Sequence, residues 1–263
     1  MNAMAEPAQR VARAGSRGRE SLLVVDDHPV ISEGFRRLAD AIGIGNVLEA
    51  GDVVAGYRAF HSHKPRLVVT DLYFEDEGLS GLTLIRRIKA ANPASRILVF
   101  STHDDPIIVA HALRVGARGF VLKDASIATL LEALAAVRAG RGYLPHRIAT
   151  TIATLDPHAR SAPLARLTAR ELQILSLIGQ GRSFAQIAAI LPIKYRSLVS
   201  VTSTIRAKLG ADGLVDLIHV ARSHIGPVAD RPGGLTASPR GADSRACDRA
   251  GAGRIRASAT GAA

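Results

Sequence analysis

Five short apolar runs alternate with segments of helical periodicity, and this alternation restricts the fold more than any other feature of the sequence. The runs are SLLVV (21–25), NVLEA (46–50), RLVVT (66–70), RILVFS (96–101) and RGFVL (118–122). The segments between them carry apolar residues at helical spacing, as in LTLIRRIKA and IIVAHALRVGA. Such alternation is typical of right-handed βαβ crossovers and a parallel sheet. We predict an α/β fold over residues 20–140, a doubly wound (βα)5 domain with sheet order 2-1-3-4-5.

The rest of the chain divides by composition. Residues 1–19 are basic and lack the apolar core of a secretory signal, and we expect them to be disordered. Residues 141–163 contain three prolines and predict a linker with some helix, whereas residues 164–224 indicate an all-helical domain. Residues 225–263 have few large apolar residues and predict a disordered tail. One cysteine and no apolar run of ~18 residues favour a cytoplasmic protein without a membrane partner.

Acidic residues follow two of the predicted strands. Asp26 and Asp27 come directly after the first run, and Asp71 follows the third. Ligands of open α/β sheets bind beyond the carboxyl ends of the strands, where the strand order reverses, here between strands 1 and 3. Three carboxylates at that point repel one another unless a cation such as Mg²⁺ neutralises them. An aspartate before Pro29 is also a typical helix cap, which is the structural alternative.

Two further polar residues follow strands 4 and 5. Ser101 and Lys123 are expected at the same edge of the sheet as the carboxylates. A metal ion, an ammonium, a hydroxyl and a nucleophilic carboxylate are the components of a phosphoryl-transfer site, in which Asp71 attacks in line. Each residue alone also has a simpler explanation, such as a strand-end hydroxyl or a solvated surface charge.

These positions, in this order, resemble the receiver domain of bacterial response regulators. The resemblance implies that Asp71 is phosphorylated by a sensor histidine kinase or a phosphorelay protein. It implies that Ser101 and Phe120 are switch residues and that Lys123 binds the phosphate. The Mg²⁺ ligands that it implies are Asp26, Asp27, Asp71 and the backbone carbonyl of Tyr73.

The loop after Asp71 departs from the family pattern. The family usually has proline at the fourth position after the phosphorylated aspartate, where this chain has Glu75 in DLYFEDEGLSGL, a loop about two residues longer. Glu75, Asp76 and Glu77 add three negative charges near a site that accepts an anion. Slower phosphorylation, a shorter-lived phosphate and simple solvation of these charges remain open as consequences.

The two halves of the chain differ in charge. Residues 21–140 carry 13 Lys/Arg against 14 Asp/Glu, or −1, whereas residues 141–263 carry 17 against 7, or +10. Half of that excess lies outside residues 164–222, which carry 8 against 3, or +5. A basic helical domain favours an anionic partner such as nucleic acid.

Residues 164–224 have the pattern of a helix-turn-helix. Thr168 and Glu171 form the capping-box spacing at the start of one helix. A short helix, FAQIAAIL, then leads through a turn at Pro192 into a longer helix from about Lys194 to Leu209. The second helix of such a motif enters the DNA major groove with its N-terminal residues foremost.

The stretches LTARE, GRSFAQIA and RAKLG resemble the DNA-binding domain of LuxR/NarL-type regulators. Val199 and Val201 stand where the family often has Lys and His, so DNA readout is expected to differ from the common pattern. In related proteins the last helix also pairs protomers, and we expect a homodimer when the chain is phosphorylated. The predicted contacts to double-stranded DNA are Lys194, Tyr195, Arg196, Ser197, Ser200, Arg206 and Lys208.

The leading hypothesis is therefore a phosphorylation-controlled transcription factor rather than an enzyme. Because Val199 and Val201 remove charge from the predicted groove-facing helix, a regulator acting through protein partners is the alternative. A phosphatase of the haloacid-dehalogenase type is disfavoured, because a second acid is missing two residues after Asp71.

Overall fold

A computed structural model describes residues 20–154 and 163–225. The predictions for residues 1–19, for residues 155–162 of the linker and for residues 226–263 lie outside the described residues. Within them, no helix is long and apolar enough to cross a membrane.

The first domain has the predicted architecture. Its parallel sheet has the order β2-β1-β3-β4-β5, which confirms the sequence prediction. The strands are β1 (Ser21–Val25), β2 (Asn46–Ala50), β3 (Leu67–Thr70), β4 (Arg96–Ser101) and β5 (Gly119–Leu122). The helices that connect and follow them are α1 (Pro29–Ala41), α2 (Val53–His63), α3 (Ser80–Ala91), α4 (Pro106–Arg114) and α5 (Ile127–Arg138).

The sheet is covered on both faces, which explains its unbroken apolar runs. In β1, Leu22 and Val24 pack with α1 and α5, whereas Leu23 and Val25 belong to the core on the side of α2, α3 and α4. All four side chains are fully buried. A strand buried on both faces has no polar side, and burying each such side chain is worth about 1.5–3 kcal/mol. This double layer fixes the positions of the strand ends that carry the polar residues.

The linker contains the helix α6 (His146–Thr154), which packs on α4. The second domain begins with a 3-10 turn, Pro163–Arg166. Four helices follow: α7 (Ala169–Gly179), α8 (Phe184–Ile190), α9 (Tyr195–Leu209) and α10 (Leu214–His224).

Local sequence signals set the ends of these helices. Thr168 and Glu171 form the predicted capping box of α7, and Ser183 and Gln186 form another at the start of α8. The left-handed Gly210 (φ 65°) ends α9. One boundary was wrong: Ile225, which we predicted as the first residue of a disordered tail, is fully buried.

The two domains share one hydrophobic core. Buried side chains of α3 and α4 and buried side chains of α7 and α10 belong to the same cluster. Helix α7 packs directly against α3. The second domain therefore lies on the α3–α4 side of the first, close to the carboxyl ends of β3 and β4.

Candidate functional site

The carboxyl ends of β1, β3 and β5 bring two carboxylates and one ammonium together. Lys123 Nζ lies 2.8 Å from Asp26 Oδ2 and 2.7 Å from Asp71 Oδ2. The side chains of Asp26 and Asp71 are almost fully buried, and that of Lys123 is 10% exposed. The structure thus places these three predicted residues in one site.

Asp71 is held in a single orientation. Its Oδ1 accepts hydrogen bonds from the backbone N–H of Leu72 (2.6 Å) and of Tyr73 (3.2 Å) and from Ser101 Oγ (2.5 Å). Its Oδ2 faces Lys123. A carboxylate fixed on both oxygens is a preorganised nucleophile, because little side-chain freedom is left to lose in a reaction.

Asp26 and Asp27 do not cap α1. The cap position is His28, and no side chain caps that helix. Asp26 Oδ1 accepts from the backbone N–H of His28 (3.0 Å), and Asp27 Oδ2 accepts from that of Glu75 (2.9 Å). The capping explanation of the acidic pair is therefore wrong.

Burial and neighbouring charges shift two of these groups. Burial raises the pKa of the Asp26 carboxyl, and Lys123 offsets only part of this effect. Burial by itself lowers the pKa of the Lys123 ammonium, but Asp71 and Asp26 more than compensate and raise it. Lys123 therefore faces the two carboxylates as an ammonium ion.

The acidic residues fit a hard divalent cation. Asp26, Asp27 and His28 each place a candidate ligand atom within 4.8 Å of the others. Asp27 Oδ1 is buried and accepts no hydrogen bond, although His28 Nδ1 lies 2.9 Å away. A buried carboxylate oxygen without a donor is costly, and coordination of Mg²⁺ would relieve that cost.

The two predicted switch residues both point inward. Ser101 is fully buried with its hydroxyl on Asp71, and Phe120 is fully buried within the core. A cavity of about 840 Å³ opens beside Asp71. The residues that line it include Asp27, Pro29, Tyr73, His103, Lys123 and Gln180.

The predicted DNA contacts separate into two groups. Lys194, Tyr195, Arg196, Ser197 and Ser200 are exposed at the start of α9.

The other two predicted contacts are engaged within the domain. Lys208 Nζ lies 2.7 Å from Glu171 Oε1, and Arg206 donates to the carbonyls of Ala211 and Asp212. Of the two valines, Val199 is 43% exposed, whereas Val201 is half-buried against the core. The predicted contacts that are exposed and take no part in these pairings therefore lie in the N-terminal half of α9.

Comparison with known proteins decides the family. The family model of the response regulator receiver domain matches residues 22–135, and that of the bacterial regulatory proteins of the luxR family matches residues 165–221. The sequence is 35% identical over 197 residues to the methanol utilization control regulatory protein MoxX of Paracoccus denitrificans, covering 75% of this chain and 88% of that protein. This chain is a LuxR-type response regulator.

Further relatives agree with that assignment. The transcriptional activator protein ExaE of Pseudomonas putida is 34% identical, with 76% of this chain and 94% of that protein covered. RcsB from Salmonella enterica serovar Typhimurium, solved bound to promoter rprA with the phosphomimetic BeF3⁻, superposes with a TM-score of 0.57 at 26% identity. That match covers 78% of this chain and 99% of the RcsB chain. The domain pair is that of transcriptional regulators in two-component systems.

The loop after β3 of this response regulator contacts the second domain. An antiparallel bridge between Phe74 and Gly78 closes residues 74–78 into a compact turn, which we call the acidic loop. Gln173 Nε2 donates to the Glu77 carbonyl (3.1 Å), and Arg182 pairs with Asp76 (3.2 Å). Of the three extra charges, that of Asp76 is paired with the second domain, whereas Glu75 and Glu77 contact that domain through their backbone carbonyls, a role that sequence reasoning missed.

Gln180 is a second residue that sequence reasoning missed. It follows α7 in the second domain, and its Nε2 donates to Tyr73 Oη (2.6 Å) and to the Glu75 carbonyl (3.0 Å). Tyr73 in turn stacks on His103 at 4.9 Å between ring centroids, and His103 Nε2 lies 2.7 Å from the Ile225 carbonyl. Gln180, which lines the cavity beside Asp71, therefore belongs to the luxR-type domain.

The segment after β4 also joins the domains. Asp105 caps α4, and its carboxylate lies 3.2 Å from His224 Nδ1. Burial works against ionisation of Asp105, but hydrogen bonding to His224 and to backbone N–H groups lowers its pKa overall. The loops that follow β3 and β4 thus both touch the second domain.

Proposed function

We propose that Asp71 accepts a phosphoryl group from a sensor histidine kinase or phosphorelay protein and that this controls DNA binding by α9. The observation that carries the proposal is the convergence of Lys123 and Ser101 on the Asp71 carboxylate. A nucleophile, a fixed cation and a hydroxyl on one carboxylate have the composition of a phosphoryl-accepting site.

In the transfer, a carboxylate oxygen of Asp71 bonds to phosphorus as the phosphorus–nitrogen bond of the donor phosphohistidine breaks. Lys123 turns its ammonium toward the phosphoryl oxygens, and Ser101 donates its hydrogen bond to them instead of to Asp71. Asp26, Asp27, Asp71 and the Tyr73 carbonyl would hold Mg²⁺, which supplies further positive charge when bound. These new contacts favour a receiver state in which Ser101 and Phe120 rearrange.

The output is DNA binding by a homodimer in the cytoplasm. Helix α9 would enter the major groove with Lys194, Tyr195 and Arg196 foremost, because these side chains are exposed at its N-terminal end. Lys194 and Arg196 suit guanine or phosphate, and Ser197 and Ser200 suit phosphate. Arg206 and Lys208 serve the domain's own fold in this scheme, since both have partners within it.

A regulator that acts through protein partners is the second candidate. It is favoured by one observation, the exposed Val199 in the middle of the open face of α9. An apolar side chain there suits a protein surface as well as a thymine methyl group.

Capture of genomic fragments from the source organism separates the two candidates. The purified chain is incubated with fragmented genomic DNA at physiological salt, with Mg²⁺ and beryllofluoride as the phosphoryl mimic. The Lys194→Ala/Arg196→Ala variant is run in parallel. We expect the wild type to enrich fragments that share a motif and the variant to lose them. Absence of enrichment, with beryllofluoride shown to bind, would favour the protein-partner candidate.

A further inference from the structure

Two arginines of the receiver domain lie beside the turn of the helix-turn-helix. Arg86 and Arg87 are exposed on α3. They line a cavity of about 330 Å³ together with Ile190, the last residue of α8, and with Leu191 and Pro192 in the turn between α8 and α9. The end of α9 that carries Lys194 and Tyr195 follows this turn directly. The receiver therefore places positive charge next to the part of the second domain that approaches DNA first.

A third arginine, Arg170, lines the same cavity. Arg170, at the start of α7, donates to the Leu191 carbonyl (2.6 Å) and to Gln173 Oε1 (3.0 Å). Burial lowers the pKa of its guanidinium, and the charges of Arg87 and Arg86 lower it further. Three guanidinium groups therefore repel one another around the turn.

The charge of the two receiver arginines is not neutralised within the described part of the chain. Neither Arg86 nor Arg87 forms an ion pair with a described residue, although Arg87 lies over the Tyr57 ring at 5.8 Å. The carboxyl group that shares the cavity is Glu77, whose backbone carbonyl is bound by Gln173. A polyanion lying across the turn would relieve the repulsion among the guanidinium groups.

We propose that the DNA-contacting surface extends onto the receiver domain, where Arg86 and Arg87 bind backbone phosphates that flank the sequence read by α9. This inference rests on the proposed function, because it takes DNA as the partner of α9. Both arginines belong to the receiver, whereas α9 belongs to the second domain. They can therefore contact the same DNA as α9 only while the two domains stay docked through the α3–α7 contact. Phosphate contacts of this kind add affinity and position without reading sequence.

The salt dependence of DNA binding tests the proposal. Affinity is measured by fluorescence anisotropy over a range of salt concentrations, on a duplex that extends beyond the captured motif on both sides. Each lost phosphate contact lowers the magnitude of the negative slope of log affinity against log salt by about 0.9. We expect Arg86→Ala/Arg87→Ala to lower that magnitude by about 2, and we expect a duplex trimmed to the motif to abolish the difference from wild type.

An adjacent arginine pair elsewhere on the receiver provides the control. Arg36 and Arg37 are exposed on α1, which packs on the opposite face of the sheet, so Arg36→Ala/Arg37→Ala removes the same charge from a remote surface. Equal slopes for the two double variants on the long duplex would overturn the inference while leaving the proposed function standing. A wild type that binds no duplex would overturn both.

Discussion

Asp71 directly follows the buried parallel strand β3, at the edge of the sheet where the strands end. Both the strand and this edge were predictable from the sequence. The residues that surround Asp71 follow β1, β4 and β5, so their meeting was predictable from the runs that precede them. Gln180 was not predictable in this way, because it belongs to another domain and lies 107 positions from its partner Tyr73. The pairing of Lys208 with Glu171 was not predictable either, because it depends on how α7 and α9 pack. The sequence therefore suggested only a DNA contact for Lys208.

The acidic pair Asp26 and Asp27 predicts a magnesium effect on stability. We expect Mg²⁺ at ten times its dissociation constant to stabilise the wild type by about 1.4 kcal/mol, because an ion that binds only the folded chain stabilises it. The Asp27→Asn variant is expected to lose most of this gain, since it removes the charge of a candidate ligand. Thermal unfolding with and without Mg²⁺ measures both.

Asp40→Asn is the matched control for that measurement, because Asp40 is an exposed acid on α1. It should respond to Mg²⁺ as the wild type does. An equal magnesium shift in the Asp27 and Asp40 variants would show that the acidic pair does not hold the ion.

The buried His111 predicts a pH effect on stability. Burial first, and then Arg114, lower the pKa of the imidazole from 6.5 to about 4, and the ring is 2% exposed beside the Leu164 carbonyl. The unfolded chain therefore binds the extra proton more readily, so stability falls as the pH drops from about 6.5 to about 4. The shift corresponds to a loss of up to about 3 kcal/mol.

Substitution isolates the part of the pH effect that belongs to His111. Urea unfolding of His111→Gln at several pH values should show a shallower loss below about pH 6.5 than the wild type. His61→Gln, on the exposed side of α2, should keep the wild-type slope. A wild-type slope in the His111 variant would contradict the assignment.

At the scale of elements, the sequence predicted the sheet order and all ten strands and helices of the receiver, because each alternating run carries its own periodicity. The function of the acidic loop could not be predicted, because its turn depends on the bridge between Phe74 and Gly78 and its partners belong to the second domain. These partners are Gln173, Gln180 and Arg182. Local patterns do not encode contacts between domains.

Gly78 provides a test of this element. It is left-handed (φ 61°), and a Cβ there would overlap with Ser176 Oγ, which accepts the backbone N–H of Leu79 at 2.9 Å. We expect Gly78→Ala to separate the acidic loop from α7. Hydrogen exchange should then become faster in residues 74–80 and in α7, by at least about tenfold for a contact worth 1.4 kcal/mol.

Gly43→Ala controls for backbone strain alone. Gly43 is also left-handed (φ 71°), but a Cβ there has nothing within 4 Å. The control variant should leave exchange in α7 unchanged. Equal exchange in α7 for both variants would contradict a role of the loop in holding the domains together.

At the scale of the whole molecule, the cavity beside Asp71 and the contact between the two domains share residues. Tyr73 and His103 lie in the cavity beside Asp71, and the same residues meet Gln180 and the Ile225 carbonyl. A phosphoryl group on Asp71 therefore acts close to the surface that docks the second domain. Under the proposed function, phosphorylation shifts the population between two states of the receiver.

The most direct test is the affinity of the full chain for its captured DNA, with and without beryllofluoride, in the wild type and in Asp71→Asn. A population shift of ordinary size corresponds to about 1–3 kcal/mol of coupling between the two sites. We predict that beryllofluoride tightens binding by the wild type about tenfold or more and leaves the Asp71→Asn variant unchanged. Equal affinity with and without beryllofluoride in a wild type shown to bind it would contradict control of DNA binding through Asp71.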